Sequence, residues 1–269
     1  MWYNSIMNNE LAINIQNATV CIDGKEILTN INWQVNRGEK VFILGANGAG
    51  KTTLVRTVLG YIWPLYGAKV EVLGELYGAT NLNILRKRIA WVSPFIQQHL
   101  DKSLTGLDMV LSGPDGYLGF YRTATDEEYS AAAEILEKLN ATHLANKSIL
   151  GMSSGQQMKI LIARALLTNP ELMILDEPNV YLDIAEREFI LQKVDEIAKN
   201  RPDLTIIFIS QRIEDILPVF QKGIIMNDGK ISVEGSRKDV LSEENLKKTF
   251  GIDIKLMQTS SGRLWAFTE

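Results

Sequence analysis

Residues 45–52 place Gly45, Ala46, Asn47, Gly48, Ala49, Gly50, Lys51 and Thr52 on the spacing G-x-x-x-x-G-K-[ST]. Such a loop suits polyphosphate. Its glycines let backbone N–H groups curl around phosphate oxygens, and a helix that starts there adds a field favouring negative charge. Lys51 would reach the β- and γ-phosphates of a nucleoside triphosphate, the Thr52 hydroxyl would ligate Mg²⁺, and Thr53 would open the helix behind them. A second element, Leu172-Met173-Ile174-Leu175-Asp176-Glu177, is an apolar run ending in two acids. Asp176 would hold Mg²⁺ through water, and Glu177 would polarise an attacking water. Alone, that acid pair fits a surface turn equally well; beside the loop at Gly45 it supplies the second half of a phosphoryl-transfer site.

These residues need a scaffold, and the chain alternates short β-rich runs with amphipathic ones. Ile31 to Val35, Lys40 to Leu44, Ile89 to Val92, Leu172 to Leu175, Thr205 to Ile209 and Gly223 to Met226 read as strands. Several are almost continuously apolar, as strands buried on both faces must be. Thr53 to Gly60, Ser154 to Thr168, Ile184 to Lys199 and Glu214 to Phe220 read as helices. The order predicts a mixed α/β core. Asn227-Asp228-Gly229-Lys230 predicts a hairpin turn between two late strands. From about His99 to Leu150 the alternation breaks into helix-rich sequence, with Thr125-Asp126-Glu127-Glu128 as a capped start. Residues 251–269 read as a small strand-rich appendage.

Between the two phosphate-directed segments lies Met152-Ser153-Ser154-Gly155-Gln156 at the head of a helix. Here the chain resembles the ATP-binding-cassette family, whose signature is Leu-Ser-Gly-Gly-Gln, and the resemblance runs from about Leu11 to Gly251. It implies a P-loop NTPase core of mixed sheet, an antiparallel N-terminal β-subdomain and an inserted α-helical subdomain. The core lobe would take residues 10–98 and 159–250, and the helical lobe residues 99–158. ATP and Mg²⁺ are the implied ligands. Ser153, Gly155 and Gln156 match the signature that binds the γ-phosphate held by an opposite protomer; Met152 and Ser154 depart from it. One chain carries one loop, one acid pair and one signature, so two chains would pair head to tail. Asp183 stands where the family has a dimer-contact aspartate, and an ordinary helix N-cap before Ile184 would read the same.

Three positions depart from the family. Gln211 follows the strand Thr205 to Ile209 where a histidine usually touches the γ-phosphate; an amide can donate a hydrogen bond but cannot titrate. Hydrolysis slower than in a histidine-bearing relative is expected. Strict alignment puts Pro94 where a Mg²⁺-contacting glutamine belongs, which leaves Gln97 favoured and Gln98 next; exposed polar residues would look alike. Ile22 replaces an aromatic that stacks on adenine, at a loss on the order of 1 kcal/mol.

The bulk composition narrows the setting. The 269 residues are 46% hydrophobic, enough for a sizeable core, and carry a net charge of −4. Arg86-Lys87-Arg88 and Lys247-Lys248 are short clusters that suit a solvated helix face better than a nucleic-acid surface, so no nucleic-acid partner is expected. A single cysteine, Cys21, fits a reducing compartment and is expected in the core. No run of about 18 apolar residues is present, and the N-terminus does not read as a signal peptide. With these bounds, the family resemblance implies as the leading expectation a cytoplasmic energy-coupling subunit, peripheral at the inner membrane face, with a separate permease as partner and a second copy or a paralogous cassette as mate. The segment from Leu111 to Gly119, with residues 125–128, is similar to importer subunits for metal chelates, cobalamin or molybdate. A stand-alone cassette ATPase acting on a macromolecule is the alternative.

Overall fold

The computed structural model describes residues 10–116 and 122–268. The chain opens with β1 (Leu11–Ile22), β2 (Lys25–Asn36), β3 (Lys40–Leu44), α1 (Lys51–Val58), β4 (Lys69–Val72) and β5 (Glu75–Leu76). Next come α2 (Leu82–Arg86), β6 (Ile89–Val92), α3 (Pro94–Gln98), α4 (Gly106–Leu111), α5 (Asp126–Lys138) and α6 (Ser154–Leu167). The remainder is β7 (Leu172–Asp176), α7 (Ile184–Asn200), β8 (Thr205–Ser210), β9 (Lys222–Asn227), β10 (Lys230–Ser236), α8 (Arg237–Val240), α9 (Glu243–Phe250), β11 (Lys255–Gln258) and β12 (Leu264–Phe267).

A six-stranded sheet in the order β10-β9-β3-β8-β7-β6 forms the centre, parallel except where β10 returns along β9. All but the edge strand β10 are largely buried on both faces, so their side chains split by the two-residue period. Val41 and Ile43 join one core with Ile207 and Ile209 beneath the N-terminal sheet, whereas Phe42 and Leu44 join the other with Phe208 and the later helices. The N-terminal sheet, β2-β1-β4-β5, is antiparallel throughout. In β2 the alternation is plain: Leu28, Ile31, Trp33 and Val35 are buried, while Asn30, Asn32 and Gln34 face solvent. The mixed α/β architecture with an antiparallel N-terminal sheet is the one the sequence predicts.

Residues 99–158 hold α4, α5, two 3₁₀ turns and the first turns of α6, which runs unbroken past residue 158. Of the segment Leu111 to Gly119, residues 117–119 lie outside the described residues. Residues 251–268 form the hairpin β11–β12.

Two expectations are corrected. Glu214 to Phe220 is not a helix: only a 3₁₀ turn forms, over Ile213–Asp215. Pro218 lacks an N–H and pushes Leu217 out of the helical region, which stops the turn from propagating. Cys21 is exposed rather than in the core. Val20 takes the inward position, and β1 leaves the core at its final two residues.

Two hairpins use the same chemistry. Asp23-Gly24 joins β1 to β2 and Asp228-Gly229 joins β9 to β10, all four residues having positive φ, the signature of a type I′ turn. Their surroundings differ. A Cβ on Gly24 would meet nothing within 4 Å, whereas one on Gly229 would lie 2.3 Å from the Ile27 carbonyl oxygen. That second turn packs into the phosphate loop, with Gly229 N–H donating to Ala49 O at 3.2 Å. Gly24→Ala should therefore cost about 1 kcal/mol of backbone strain, and Gly229→Ala a further ~1–3 kcal/mol from the clash. Urea unfolding of both variants checks this; equal losses would show that the turn at Gly229 yields freely.

Candidate nucleotide site

Strand β3 ends at Leu44, and residues 45–50 curl back before α1 begins at Lys51. Close approach dictates a glycine at the first position: a Cβ on Gly45 would sit 2.5 Å from the Met226 carbonyl oxygen. At the last, Gly50 is the N-cap of α1 with φ 98°, a left-handed conformation, and no side chain caps the helix. The first-turn N–H groups of α1 are thus left uncapped by side chains at the loop's mouth. Lys51 is buried, and its Nζ donates to Gly45 O (2.8 Å) and Ala46 O (3.0 Å), closing the loop on itself.

Asp176 and Glu177 arrive on the end of β7. Asp176 is buried, and its Oδ1 has no hydrogen-bond partner. Burial, reinforced by the neighbouring Glu177 charge, pushes its carboxyl up to about 6; Lys51 and a hydrogen bond from the Thr52 side chain only partly offset this. Glu177 turns the chain away at φ 53°, with its N–H donating to Ile209 O at 3.0 Å. A non-glycine residue in that region stores about 1–3 kcal/mol of strain. The turn aims the Glu177 carboxylate between two partners, Lys51 Nζ at 3.2 Å and Gln211 Nε2 at 2.5 Å. Gln211 follows β8, whose end is tied down by Ser210 Oγ donating to the buried Asp215, itself paired with Arg187 of α7 at 2.5 Å.

Asp176 and Glu177 line a cleft of about 440 Å³ with Asn47 to Thr53, Ile27, Ser93, Pro94 and Phe95. The structure brings the Gly45 loop, Thr52, Asp176 and Glu177 to one place and sets Gln211 on Glu177. Other predicted residues lie elsewhere. Ile22 is 38% exposed at the end of β1 and does not line the cleft; Ile27 of β2 does, because β2 rather than the tip of β1 passes behind the loop. Gln97 is not turned toward Thr52 and Asp176. Its Nε2 donates to Ser154 O (3.0 Å) and Gln157 Oε1 (3.2 Å), because α3 presents it to the start of α6. Gln98 is exposed. The cleft residues Ser93 and Pro94 follow β6 directly, a position that alignment with the family already marks.

Ser153, Gly155, Gln156 and Asp183 are also absent from the cleft lining. Ser153 is the N-cap of α6 in a reciprocal capping box with Gln156. Asp183 is the N-cap of α7, its Oδ1 accepting from Glu186 N at 2.8 Å.

The ABC transporter family pattern matches residues 28–180. The uncharacterised ABC transporter ATP-binding protein YlmA of Bacillus subtilis (strain 168) is 34% identical over 248 residues, which cover 92% of this chain and 94% of that protein. The molybdate import ATP-binding protein MolC of Haemophilus influenzae is 28% identical over 90% of this chain and 89% of its own length. Among solved structures, an ABC transporter assigned to the metal-chelate type, in an inward-facing conformation, superposes with a TM-score of 0.76 at 26% identity, covering 96% of this chain and 98% of that one. A dimeric bacterial ABC transporter cassette gives a TM-score of 0.72 at 24% identity, over 84% and 99% of the two chains, and shares the fold. The chain belongs to the ATP-binding proteins of ABC transporters. It is the nucleotide-binding, ATP-hydrolysing cassette of such a system.

The raised Asp176 carboxyl carries a stability cost. Its folded value lies above its unfolded one, so without metal or nucleotide the fold loses stability as pH rises towards about 6, carries the full cost above it, and regains stability as pH falls below it. Asp176→Asn removes a buried charge worth on the order of 2 kcal/mol at pH 7.5. The variant should melt higher than wild type in the absence of Mg²⁺ and ATP, with a smaller gain at pH 5, and should lose ATPase turnover. Thermal melts at both pH values check it; a lower melting point at pH 7.5 would mean the carboxylate is stabilising.

Proposed function

We propose that this chain is the ATP-driven half of an importer, working at the cytosolic membrane face as a head-to-tail pair with a separate permease. The observation that carries the reading is the composition of the cleft. It holds the phosphate loop and the acid pair but none of Ser153, Gly155 or Gln156, so each chain offers half a site. A second copy, or a paralogous cassette, would bring its Ser153 segment over the γ-phosphate held at Lys51, with Asp183 at the contact.

The residues also suit Mg²⁺. The partnerless Oδ1 of Asp176 and the Thr52 hydroxyl stand together, and among the described residues no group of three or more His, Cys, Asp or Glu could hold a metal alone. Such a set fits an ion that keeps waters and takes phosphate oxygens as its other ligands. When bound, Mg²⁺ would neutralise charge between the β- and γ-phosphates. The protein does the remainder. Lys51 meets the phosphates, and Glu177 orients the attacking water while Gln211 fixes the carboxylate. A neutral amide stabilises the transition-state charge less than an imidazolium would, which makes turnover slow.

The permease side rests on a groove of about 910 Å³ between α1, α2, β6 and α6. Tyr61, Trp91 and Phe95 run along it in ring contact at 6.0 and 5.8 Å, with Arg56 and Arg86 over the rings. A permease's cytosolic helix would dock there beside the lobe of residues 99–158. No helix among the described residues is long and apolar enough to cross a membrane, which leaves the pathway to the partner. The names of MolC and of the metal-chelate transporter favour an oxyanion or metal chelate as cargo.

With Glu177→Gln, Mg-ATP should convert the chain from monomer to dimer in size-exclusion chromatography with light scattering, and ADP should not. A monomer at saturating ATP would sink the head-to-tail reading for this chain alone. Gln211→His should raise steady-state phosphate release several-fold; an unchanged rate would show that the residue on Glu177 does not limit turnover.

A further inference from the structure

Away from the cleft, the start of α6 is already occupied by an anion of the same chain. Ser153 Oγ donates to Glu186 Oε1 at 3.1 Å. A Cβ on Gly155 would fall 2.2 Å from the Glu186 carboxyl carbon and 2.3 and 2.4 Å from its two oxygens. The carboxylate therefore lies against the bare α-carbon of Gly155, in space that exists only because that residue has no side chain. The helix behind it has 14 residues, so its N-terminal field favours negative charge. Glu186 comes from the first turn of α7, and among the described residues its carboxylate has no ion-pair partner. What holds it is the seat itself: a serine hydroxyl, a glycine surface and a helix end.

We infer that Glu186 is an internal stand-in for the γ-phosphate that a partner chain's ATP presents to Ser153, and that closure of the pair requires its displacement. The inference rests on the head-to-tail reading above. Carboxylate and terminal phosphate are both oxyanions, and the two cannot share one hydroxyl and one glycine surface without direct like-charge repulsion. The phosphate has more charge and an additional oxygen, so it wins when ATP is abundant. Until then Glu186 satisfies the seat and holds the first turns of α6 and α7 together. Its role is competitive: it sets the ATP concentration at which two chains close, while leaving nucleotide capture at Lys51 untouched.

The test uses the full chain in the Glu177→Gln background, comparing Glu186 with Glu186→Gln and Glu186→Asp. The first keeps the length and removes the charge; the second keeps the charge but withdraws it from Ser153. Mg-ATP is titrated and the dimer fraction read by analytical ultracentrifugation, with binding of a fluorescent ATP analogue to dilute monomer measured alongside. Both substitutions should lower the ATP midpoint for dimerisation, Glu186→Gln by roughly three- to tenfold, the size of a charge contact at a helix end. Monomer affinity for the analogue should not change. A midpoint that is unchanged or raised in both variants overturns the inference, since Glu186 would then be neutral or supportive in the closed state. If the Glu177→Gln parent forms no dimer at any ATP concentration, the head-to-tail reading fails and this inference with it.

Discussion

In the central sheet Ile43 of β3 and Asp176 of β7 both pair with Ile209 of β8, so three parallel strands end level with one another. That register carries the rest of the site. The residues just beyond those ends are Gly45, Glu177 and Gln211, and only level ends put the loop lysine, the acid pair and the glutamine within hydrogen-bonding reach. Crevices at the carboxyl ends of parallel strands are where open α/β sheets collect their ligands. Here the register is held by burial. A slip by one residue would send Val41 and Ile43 into the space shaped for Phe42 and Leu44, moving every side chain to the wrong core.

The strands then deliver groups that the protein alone does not balance. Asp176 is held ionised against its burial, Glu177 is turned through a left-handed residue, and Lys51 is drawn inside with its ammonium on two carbonyls of its own loop. The first two arrangements cost free energy, and all three aim a charge at the same cleft. The two-core packing supplies the surplus that tolerates these costs. A triphosphate with its cation would relieve several at once, which is why ligand and fold are coupled so closely here.

Much of this was legible in the sequence, and the limits follow from what sequence patterns encode. The Gly45 loop and the Leu172–Glu177 strand were readable because a local spacing dictates a local geometry. The hairpin at Asp228-Gly229 was readable for the same reason. Sequence says less where side-chain direction depends on distant packing. Gln97 and Gln98 are adjacent and alike, but α3 aims one at Ser154 and the other at solvent. Ile22 fills the aligned position, yet Ile27 on the neighbouring strand reaches the cleft. Cys21 belongs to an apolar strand whose last residues run out of the core. The false helix at Glu214 to Phe220 had a local warning in Pro218, outweighed by apolar spacing that reflects burial of Ile216, Leu217 and Phe220 without helix.

The division between what touches the cleft and what does not has a consequence for how ATP acts. Lys51, Thr52, Asp176 and Glu177 line one cleft, while Ser153 and Gly155 lie outside it and Glu186 seats its carboxylate upon them. α7 connects these regions. Asp183 caps it, its first turn carries Glu186, and the next residue, Arg187, grips Asp215 beneath the strand end that bears Gln211. A motion of the α7 N-terminus therefore acts on both the signature seat and the residue that orients Glu177. A ligand that binds the closed pair better than the open one shifts the population toward closure by its differential affinity and no more. The γ-phosphate is the part of ATP that can make that difference, because it alone would reach the seat at Ser153. Its cleavage would remove the contact that favours closure, and the carboxylate of Glu186 would then return to the helix end.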